Sequence, residues 1–377
     1  MTLTPAADPL RRAMAEAADL AQGGRFRVEP NPLVGAVVLA ADGSVAARGF
    51  HARWGGPHAE VVALAAAGER ARGGTLVTTL EPCAHTAKKT PPCLPAVIAS
   101  GVVRVVAACP DPNPATRGSA ARELPAHGIA YEEGLLQETC EPLAFRHARQ
   151  VVAEVPWTIA KWSMSADGRI ADSGGRSRWI TEAPARDVVH ELRASVDAVV
   201  VGRGTVAADD PALTCRIAGG RNPLRVILDT ELRTPADARV IATARETPTL
   251  VLCAEGADPG RRRSLSERGA DVVELARGPG GRVKLAAAFR ELHRRGANRV
   301  LLESGSVLTG ACLRAGYVRQ VAAFVAPVVI GGSGPSPFDG GGWPLLDAPR
   351  LEQPRVLAIG CDALLEGYWP KGGPAAS

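Results

Sequence analysis

Short apolar runs alternate with amphipathic, alanine-rich stretches along most of the chain. In the first part, apolar runs predict buried strands at 33–40, 75–80, 102–109 and 129–132. Amphipathic stretches predict helices at 8–22, 59–71, from about 93, near 117–126 and at 135–149. Asp8 has the side chain of an N-cap and is followed by Pro9, and Asp42-Gly43 predicts a hairpin turn into a strand at 44–50. Alternating strands and helices indicate an α/β layered domain with a largely parallel sheet.

The same alternation continues after a boundary that the sequence places at 150–156, ending in Pro156. Strands are predicted at 157–171 with an Asp167-Gly168 turn, then at 197–202, 223–229, 249–253, 270–275, 298–303 and 320–332. Helices are predicted at 182–194, near 260–268 and 283–295, and from Gly305, and two late strands close the chain. Two α/β domains follow from this pattern, 1–150 and 151–377.

Composition narrows the class of protein. The chain has 377 residues, enough for two domain cores, with 46% hydrophobic residues and a net charge of +5. The arginines are scattered and the chain has only three Tyr and six Phe, which argues against a nucleic-acid groove. The sequence lacks an 18-residue apolar run and a secretory N-terminus, so we expect neither a membrane partner nor export. Eight scattered cysteines favour a reduced, cytoplasmic protein.

Three soft metal ligands lie close together in the first half. His58, Cys83 and Cys93 supply one imidazole and two thiols, the ligand set of a catalytic zinc that keeps a fourth position open. Glu60 lies two residues after the histidine, as in zinc deaminases of nucleobases, although here nine residues separate the cysteines instead of two. The alternatives are a closed structural site with His85 as fourth ligand, and three residues that are unrelated to one another.

Two features of the second half also suggest chemistry. Lys161 is a lone charge in an apolar strand, and buried lysine is rare unless it is paired. The stretch Gly202-Arg203-Gly204-Thr205-Val206-Ala207 matches a dinucleotide-binding fingerprint after a strand, and we predict it to be a loop running to Asp209. The match is incomplete, because the nearest acidic residue, Asp229, comes too late.

The motifs PNPLVGAVV, GGPHAE, TLEPCAHT, KTPPC and DPNP make the first half similar to the deaminase half of the bifunctional riboflavin-biosynthesis deaminase–reductase family. The resemblance implies a cytidine-deaminase-like three-layer domain with zinc on His58, Cys83 and Cys93. It also implies that Glu60 shuttles protons and that Asn31 contacts the pyrimidine ring, although an Asx turn would explain Asn31 equally well. The family's inter-cysteine loop has eight residues, so this chain has one more, at the 87–89 tip.

AKWSMSADGRIA, SRWIT, HELRASVDAVVVGRGTV, DDPALTCR and LLESG resemble the reductase half of the same family. The resemblance implies a dihydrofolate-reductase-like α/β domain that binds NADPH, and Lys161 and Glu303 are our candidates for proton transfer. The residues implied to face the substrate are Ser177, Arg193, Leu213, Arg216 and Glu303, the two arginines forming a phosphate clamp. Those implied to face NADPH are Ser163, Trp179, Thr205, Asp209, Gly305, Ser306, Val307, Leu308, Thr309, Gly310 and Ala311.

We therefore expect an enzyme with two activities. The first domain would deaminate 2,5-diamino-6-(5-phosphoribosylamino)pyrimidin-4-one with zinc, and the second would reduce the ribosyl side chain to ribityl phosphate with NADPH. The expected partner is a small phosphorylated pyrimidine, and a homo-oligomer stays open. The alternatives are another zinc nucleobase or nucleotide deaminase with a C-terminal ligand-binding domain, a nucleic-acid-editing deaminase, and a non-enzymatic zinc scaffold.

Overall fold

A computed structural model describes residues 8–86, 90–144 and 155–370. The chain divides into two compact units, Met1–Ala153 and Glu154–Ser377. Three sequence predictions fall partly or wholly outside the described residues: the domain border near 150, the end of the 135–149 helix, and the loop tip at 87–89.

The first unit contains a five-stranded mixed sheet. Its strands are β1 Gly35–Leu39, β2 Val45–Phe50, β3 Thr75–Thr78, β4 Arg104–Ala107 and β5 Ala130–Glu133, in the order β2-β1-β3-β4-β5. β1 is antiparallel to both β2 and β3, whereas β3, β4 and β5 are mutually parallel. The hairpin reverses the chain after β1, so only this strand runs against the others, and the expected largely parallel sheet is mixed at this edge.

The helices of this unit lie at the predicted places. They are α1 Pro9–Ala21, α2 Ala59–Ala67, α3 Leu94–Ala99, α4 Ser119–Ala126 and α5, whose described part covers 137–144. Asp8 caps α1 as predicted, because its Oδ1 accepts a hydrogen bond from the backbone N–H of Leu10 at 3.0 Å. His58 and Cys93 occupy the N-cap positions of α2 and α3, which places both at helix starts.

Two glycines show that α1 and α2 cover opposite faces of the sheet. Gly35 pairs with Phe50 across β1 and β2, so Gly49, one residue away, points to the other face. A Cβ on Gly35 would lie 1.9 Å from the carbonyl oxygen of Ala17 in α1. A Cβ on Gly49 would lie 2.5 Å from that of Ala59 in α2. Both helices therefore pack directly on the strand backbone, and the unit has three layers.

The second unit contains a nine-stranded sheet. Its strands are β6 Trp157–Ser165, β7 Ala198–Gly202, β8 Leu224–Leu228, β9 Thr249–Ala254, β10 Asp271–Leu275, β11 Arg299–Leu302, β12 Val318–Ala326, β13 Glu352–Ile359 and β14 Asp362–Tyr368. The order is β10-β9-β8-β7-β11-β6-β12-β14-β13. Neighbouring strands are parallel from β10 to β12, and the last two pairings, β12 with β14 and β14 with β13, are antiparallel. The helices are α6 Ala183–Ala194, α7 Arg203–Asp209, α8 Arg239–Ala242, α9 Pro259–Glu267, α10 Leu285–Arg294 and α11 Ser306–Arg314.

Two local predictions are wrong in this unit. The stretch from Gly202 to Asp209, predicted as a loop, forms helix α7, which is held by the buried side chain of Val206. The strand predicted to reach 332 ends at Ala326. Beyond it, the N–H groups of Ile330 and Gly331 donate to the Asp167 carboxylate at 3.0 and 2.7 Å, instead of to a neighbouring strand.

Every helix of the described ranges is too short or too polar to span a lipid bilayer.

Candidate active sites

The three candidate metal ligands of the first unit converge on one point. His58 starts α2, Cys83 follows β3 and Cys93 starts α3, and their ligand atoms all lie within 4.8 Å of one another. Nδ1 of His58 is 3.0 Å from Sγ of Cys93 and 3.4 Å from Sγ of Cys83, and the two sulfurs are 3.4 Å apart. Both thiols are buried and the imidazole is half-buried. One nitrogen and two sulfurs at this spacing fit a single zinc ion.

The described residues supply three ligands to this cluster. His85, the alternative fourth ligand, is engaged elsewhere: its Nδ1 lies 2.7 Å from Oγ1 of Thr116, and its Nε2 lies 3.5 Å from Nδ2 of Asn113. Three protein ligands with a fourth position left for water are typical of catalytic zinc, and four are typical of structural zinc. The geometry therefore favours a catalytic site.

Glu60 lies in the first turn of α2, and its side chain is 3% exposed. Its Oε2 has no hydrogen-bond partner among the described residues. Burial raises the pKa of this carboxyl, and the charge of Cys83 raises it further. A buried carboxylate with a free oxygen beside the ligands is placed to exchange a proton with whatever occupies the fourth metal position.

Asn31 approaches this centre through a residue that sequence reasoning missed. Its Nδ2 donates to Nε2 of His51 at 3.0 Å, and Nδ1 of His51 donates to the carbonyl oxygen of Pro57 at 2.9 Å. The His51 ring stands edge-on to the His58 ring, with centroids 5.1 Å apart. Asn31 thus belongs to a hydrogen-bonded chain that ends at Pro57, the residue before His58, and a contact distant in the sequence holds its side chain.

Glu81, two residues before Cys83, was also missed from the sequence. Its buried carboxylate accepts three backbone hydrogen bonds, from Asp111 at 3.0 Å, Gly118 at 3.1 Å and Ala120 at 3.0 Å. It therefore ties the zinc-ligand turn to the 111–118 loop and the start of α4. Burial raises the pKa of Asp111 in this loop to about 6. No local sequence pattern indicates such a partnership across some 30 residues.

A separate cavity of about 880 Å³ lies in the second unit. Twelve residues selected from the sequence line it: Lys161, Ser163, Ser177, Trp179, Arg193, Thr205, Asp209, Leu213, Arg216, Glu303, Gly305 and Ser306. The structure does not bring Val307, Leu308, Thr309, Gly310 and Ala311 to its wall. They continue α11, where Thr309 and Gly310 are buried and a Cβ on Gly310 would lie 2.2 Å from the Asp339 carbonyl.

Arg193 and Glu303 form an ion pair inside this cavity. Nε and Nη2 of Arg193 donate to the two carboxylate oxygens of Glu303 at 2.7 and 2.8 Å, and Nη1 donates to the carbonyl oxygen of Thr214 at 3.2 Å. Burial alone would raise the pKa of Glu303, but the adjacent guanidinium holds it below its ordinary value. All three guanidinium nitrogens of Arg193 thus donate to protein groups. This arrangement does not suit the predicted role of Arg193 in a phosphate clamp.

Lys161 lines the cavity near this pair, with Nζ 5.8 Å from the centre of the Phe324 ring. Burial lowers the pKa of its ammonium group, although the charges of Glu303 and Asp209 act in the opposite direction. A lysine of lowered pKa is a better proton donor than a free one near neutral pH.

The rim of the cavity carries further polar contacts. Oγ of Ser177 donates to Oδ1 of Asp209 at 2.7 Å, and Arg178 donates to the Asp209 carbonyl oxygen. Oγ1 of Thr205 accepts a hydrogen bond from the backbone N–H of Gly305 at 3.1 Å, which joins the starts of α7 and α11. Residues predicted to meet substrate and cofactor are thus directly connected.

Comparisons with known proteins agree with this architecture. Residues 8–109 match the cytidine and deoxycytidylate deaminase zinc-binding region, and 156–365 match the RibD C-terminal domain. The riboflavin biosynthesis protein RibD of Actinobacillus pleuropneumoniae is 36% identical over 95% of this chain and 94% of its own length. The Escherichia coli protein of the same name is also 36% identical, over 93% and 97%.

Solved structures show the same relationship. RibD of Acinetobacter baumannii superposes with a TM-score of 0.71 at 32% identity, covering 96% of this chain and 99% of that one. A diaminohydroxyphosphoribosylaminopyrimidine deaminase/5-amino-6-(5-phosphoribosylamino)uracil reductase of Thermotoga maritima gives 0.70 at 35% identity, with the same coverage. With a zinc-deaminase unit and a reductase unit in this order, the chain belongs to the RibD family of bifunctional deaminase–reductases of riboflavin biosynthesis.

Proposed function

We propose that the first unit deaminates 2,5-diamino-6-(5-phosphoribosylamino)pyrimidin-4-one by hydrolysis, and that the second reduces the ribosyl chain of the product with NADPH. The observation that carries the proposal is the convergence of His58, Cys83 and Cys93 beside the buried carboxylate of Glu60. The Thermotoga protein is named for both reactions, and its 35% identity to this chain supports the same substrates here.

In the deaminase site, His58, Cys83 and Cys93 would hold the zinc. When bound, zinc lowers the pKa of a coordinated water and so makes a nucleophile available at neutral pH. Glu60 would accept one proton from this water and pass it to the pyrimidine ring nitrogen, and would then carry the second water proton to the amino group, which leaves as ammonia. Its unpartnered Oε2 leaves it free for each transfer.

Asn31 and His51 orient the ring. With the Asn31 amide donating to His51, its side-chain carbonyl is left to accept from the substrate's amino groups. Glu81 fixes the 111–118 loop to the residues just before Cys83.

In the reductase site, bound NADPH would supply the hydride that reduces C1′ of the ribosyl group. Opening of the sugar ring breaks the C1′–O4′ bond and requires a proton at O4′. Lys161 is the proton donor in this proposal, because burial lowers the pKa of its ammonium group. Glu303 accepts hydrogen bonds from Arg193 and so keeps a negative charge beside the lysine.

Arg216 and Arg239 bind the substrate phosphate in place of the predicted pair of Arg193 and Arg216. Both line the cavity and are exposed, and neither guanidinium has a hydrogen-bond or ion-pair partner among the described residues. The backbones that carry them are joined: the N–H of Arg239 donates to Oδ1 of Asp210 at 2.7 Å. Arg225, buried below, donates to the carbonyl oxygens of Ala212 and Thr243 at 3.2 and 3.0 Å.

The cofactor side comprises Ser163, Trp179, Thr205, Asp209 and the start of α11 at Gly305 and Ser306. The exposed face of Trp179, 68% accessible, offers a stacking surface. We also place the enzyme in the cytoplasm, in keeping with cysteines that form no disulfide among the described residues. Its partner is the small phosphorylated pyrimidine.

A pair of variants tests whether each of the two units carries one of the two activities. Glu60→Gln should lower deamination by about 10²–10⁴-fold and leave reduction of the deaminated intermediate unchanged. Lys161→Met should do the reverse. Glu69→Gln, an exposed carboxylate just beyond α2, is the control and should change neither rate. Loss of both activities in Glu60→Gln would contradict the two-site model.

A further inference from the structure

The two ring nitrogens of His58 face different groups. Nδ1 points to the thiols of Cys83 and Cys93, at 3.4 and 3.0 Å. Nε2, on the far side of the ring, lies 2.9 Å from Oγ1 of Thr90. Thr90 comes from the segment between the two cysteines, three residues before Cys93. The short segment that ends at Cys93 therefore supplies one metal ligand, and through Thr90 it also contacts Nε2 of another ligand, His58.

We propose that Thr90 is the positioning residue of the deaminase metal centre, its hydroxyl accepting the Nε2–H of His58. A neutral imidazole carries one N–H, so donation from Nε2 leaves the lone pair on Nδ1 for the metal. Metal-binding histidines commonly donate their other N–H to such an acceptor, which sets the tautomer and the ring orientation. The inference rests on the zinc-dependent deamination proposed above.

The ring of His58 is held from a second direction by His51. The two rings are inclined at 65° with centroids 5.1 Å apart, and Asn31 and Pro57 hold His51 by its own two nitrogens. His51 thus restricts the tilt of the His58 ring through packing, whereas Thr90 supplies the hydrogen bond. Of these two contacts, the one with Thr90 is made to a ring nitrogen, and the one with His51 is made to the ring as a whole.

The contact between Thr90 and His58 depends on the wide spacing between the two cysteines. In a C-x-x-C turn, the two residues between the cysteines are taken up by the turn itself. Here nine residues separate Cys83 and Cys93, and the seventh is the acceptor for the third ligand. Through Thr90 the inter-cysteine segment is bonded to the ligand on α2 as well as to the two at its ends.

The test measures zinc affinity of the full-length enzyme by competition with a chelator. Thr90→Val removes the acceptor at nearly constant volume and should weaken zinc binding about 10–100-fold. Thr90→Ser keeps the hydroxyl and should bind zinc within about threefold of the original protein. Thr86→Val, in the same segment but exposed, is the matched control and should leave the affinity unchanged. Equal zinc affinity in Thr90→Val and the original protein would overturn the proposal.

A second readout separates positioning from a general loss of structure. In zinc-loaded protein with ¹⁵N-labelled histidine, the Nε2–H of His58 should exchange slowly with water in the original protein and in Thr90→Ser. It should exchange rapidly in Thr90→Val, while the thermal unfolding of the zinc-free form stays the same. A slowly exchanging Nε2–H in Thr90→Val would show that another group is the acceptor. Thr90-dependent zinc binding without deamination would defeat the proposed function and leave this inference standing.

Discussion

Arg193 on α6 and Glu303 after β11 are 110 residues apart in the chain, and two parallel hydrogen bonds of 2.7 and 2.8 Å join them. Their side chains are 14% and 9% exposed, so this is a largely desolvated ion pair. It lies in the wall of the reductase cavity, where it fixes a negative charge near Lys161.

Breaking this pair should destabilise the second unit. Glu303→Gln leaves the Arg193 guanidinium without a counter-charge, and we expect it to lower the free energy of unfolding by about 3 kcal/mol. The double variant Glu303→Gln/Arg193→Met removes both charges and should recover a large part of that loss. Urea unfolding followed by tryptophan fluorescence measures both, and a double variant less stable than Glu303→Gln would contradict the interpretation.

Removal of the candidate phosphate ligands should affect substrate binding more than turnover. Arg216→Gln and Arg239→Gln should each raise the KM for the phosphorylated intermediate about tenfold or more, with little change in kcat, because the phosphate does not react. The KM for a dephosphorylated analogue should stay the same.

Arg263→Gln, an exposed arginine on α9 outside the cavity, is the control for charge. If Arg239→Gln instead raised the KM for NADPH and not for NADH, the residue would bind the cofactor's 2′-phosphate and the assignment would be wrong.

The reductase should lose activity in alkaline solution. Lysine donates a proton only in its charged form, and burial lowers the pKa of Lys161 below its ordinary 10.5. The charged form is therefore lost at a lower pH than for a free lysine, and kcat should fall as pH rises through that pKa.

The other groups that face Lys161 are Glu303, Arg193 and Asp209. His190 lines the same cavity, and burial lowers its pKa below the ordinary 6.5. Its titration therefore does not produce a decline in alkaline solution. Lys161→Arg stays charged, so its residual activity should lack the alkaline decline. A profile that still declines in Lys161→Arg would assign it to another group.

Metal removal should separate the two activities. Dialysis against a zinc chelator should lower deamination at least 100-fold, because the water is no longer activated. NADPH-dependent reduction of the deaminated intermediate should continue at its original rate. Readdition of one equivalent of zinc should restore deamination, and restoration that needs no zinc would contradict a metal-dependent site.

Secondary structure followed from local patterns where the determining residues are neighbours. Asp8 before Pro9 marked the start of α1, and the apolar runs marked the strands, because capping and burial act over a few residues. Errors arose where residues that are distant in the sequence determine the local structure. Asp167 binds the N–H groups of Ile330 and Gly331, and no property of the 327–332 stretch could indicate this.

The candidate sites divide in the same way. His58, Glu60, Cys83 and Cys93 could be predicted because a zinc site constrains residue type and spacing strongly. The sequence indicated twelve of the residues that line the second cavity, but the ion pair of Arg193 depends on a partner 110 positions away. Thr90 and His51 were missed for a related reason, since a hydroxyl or imidazole has chemical meaning only once its neighbour is known.

The three backbone hydrogen bonds to Glu81 bear on whether this unit needs zinc in order to fold. They fix the 111–118 loop and the start of α4 to the residues just before Cys83, and none of them involves a metal ligand side chain. These hydrogen bonds do not require the metal, so we expect this unit to fold without zinc, in contrast to small zinc domains that fold around their metal.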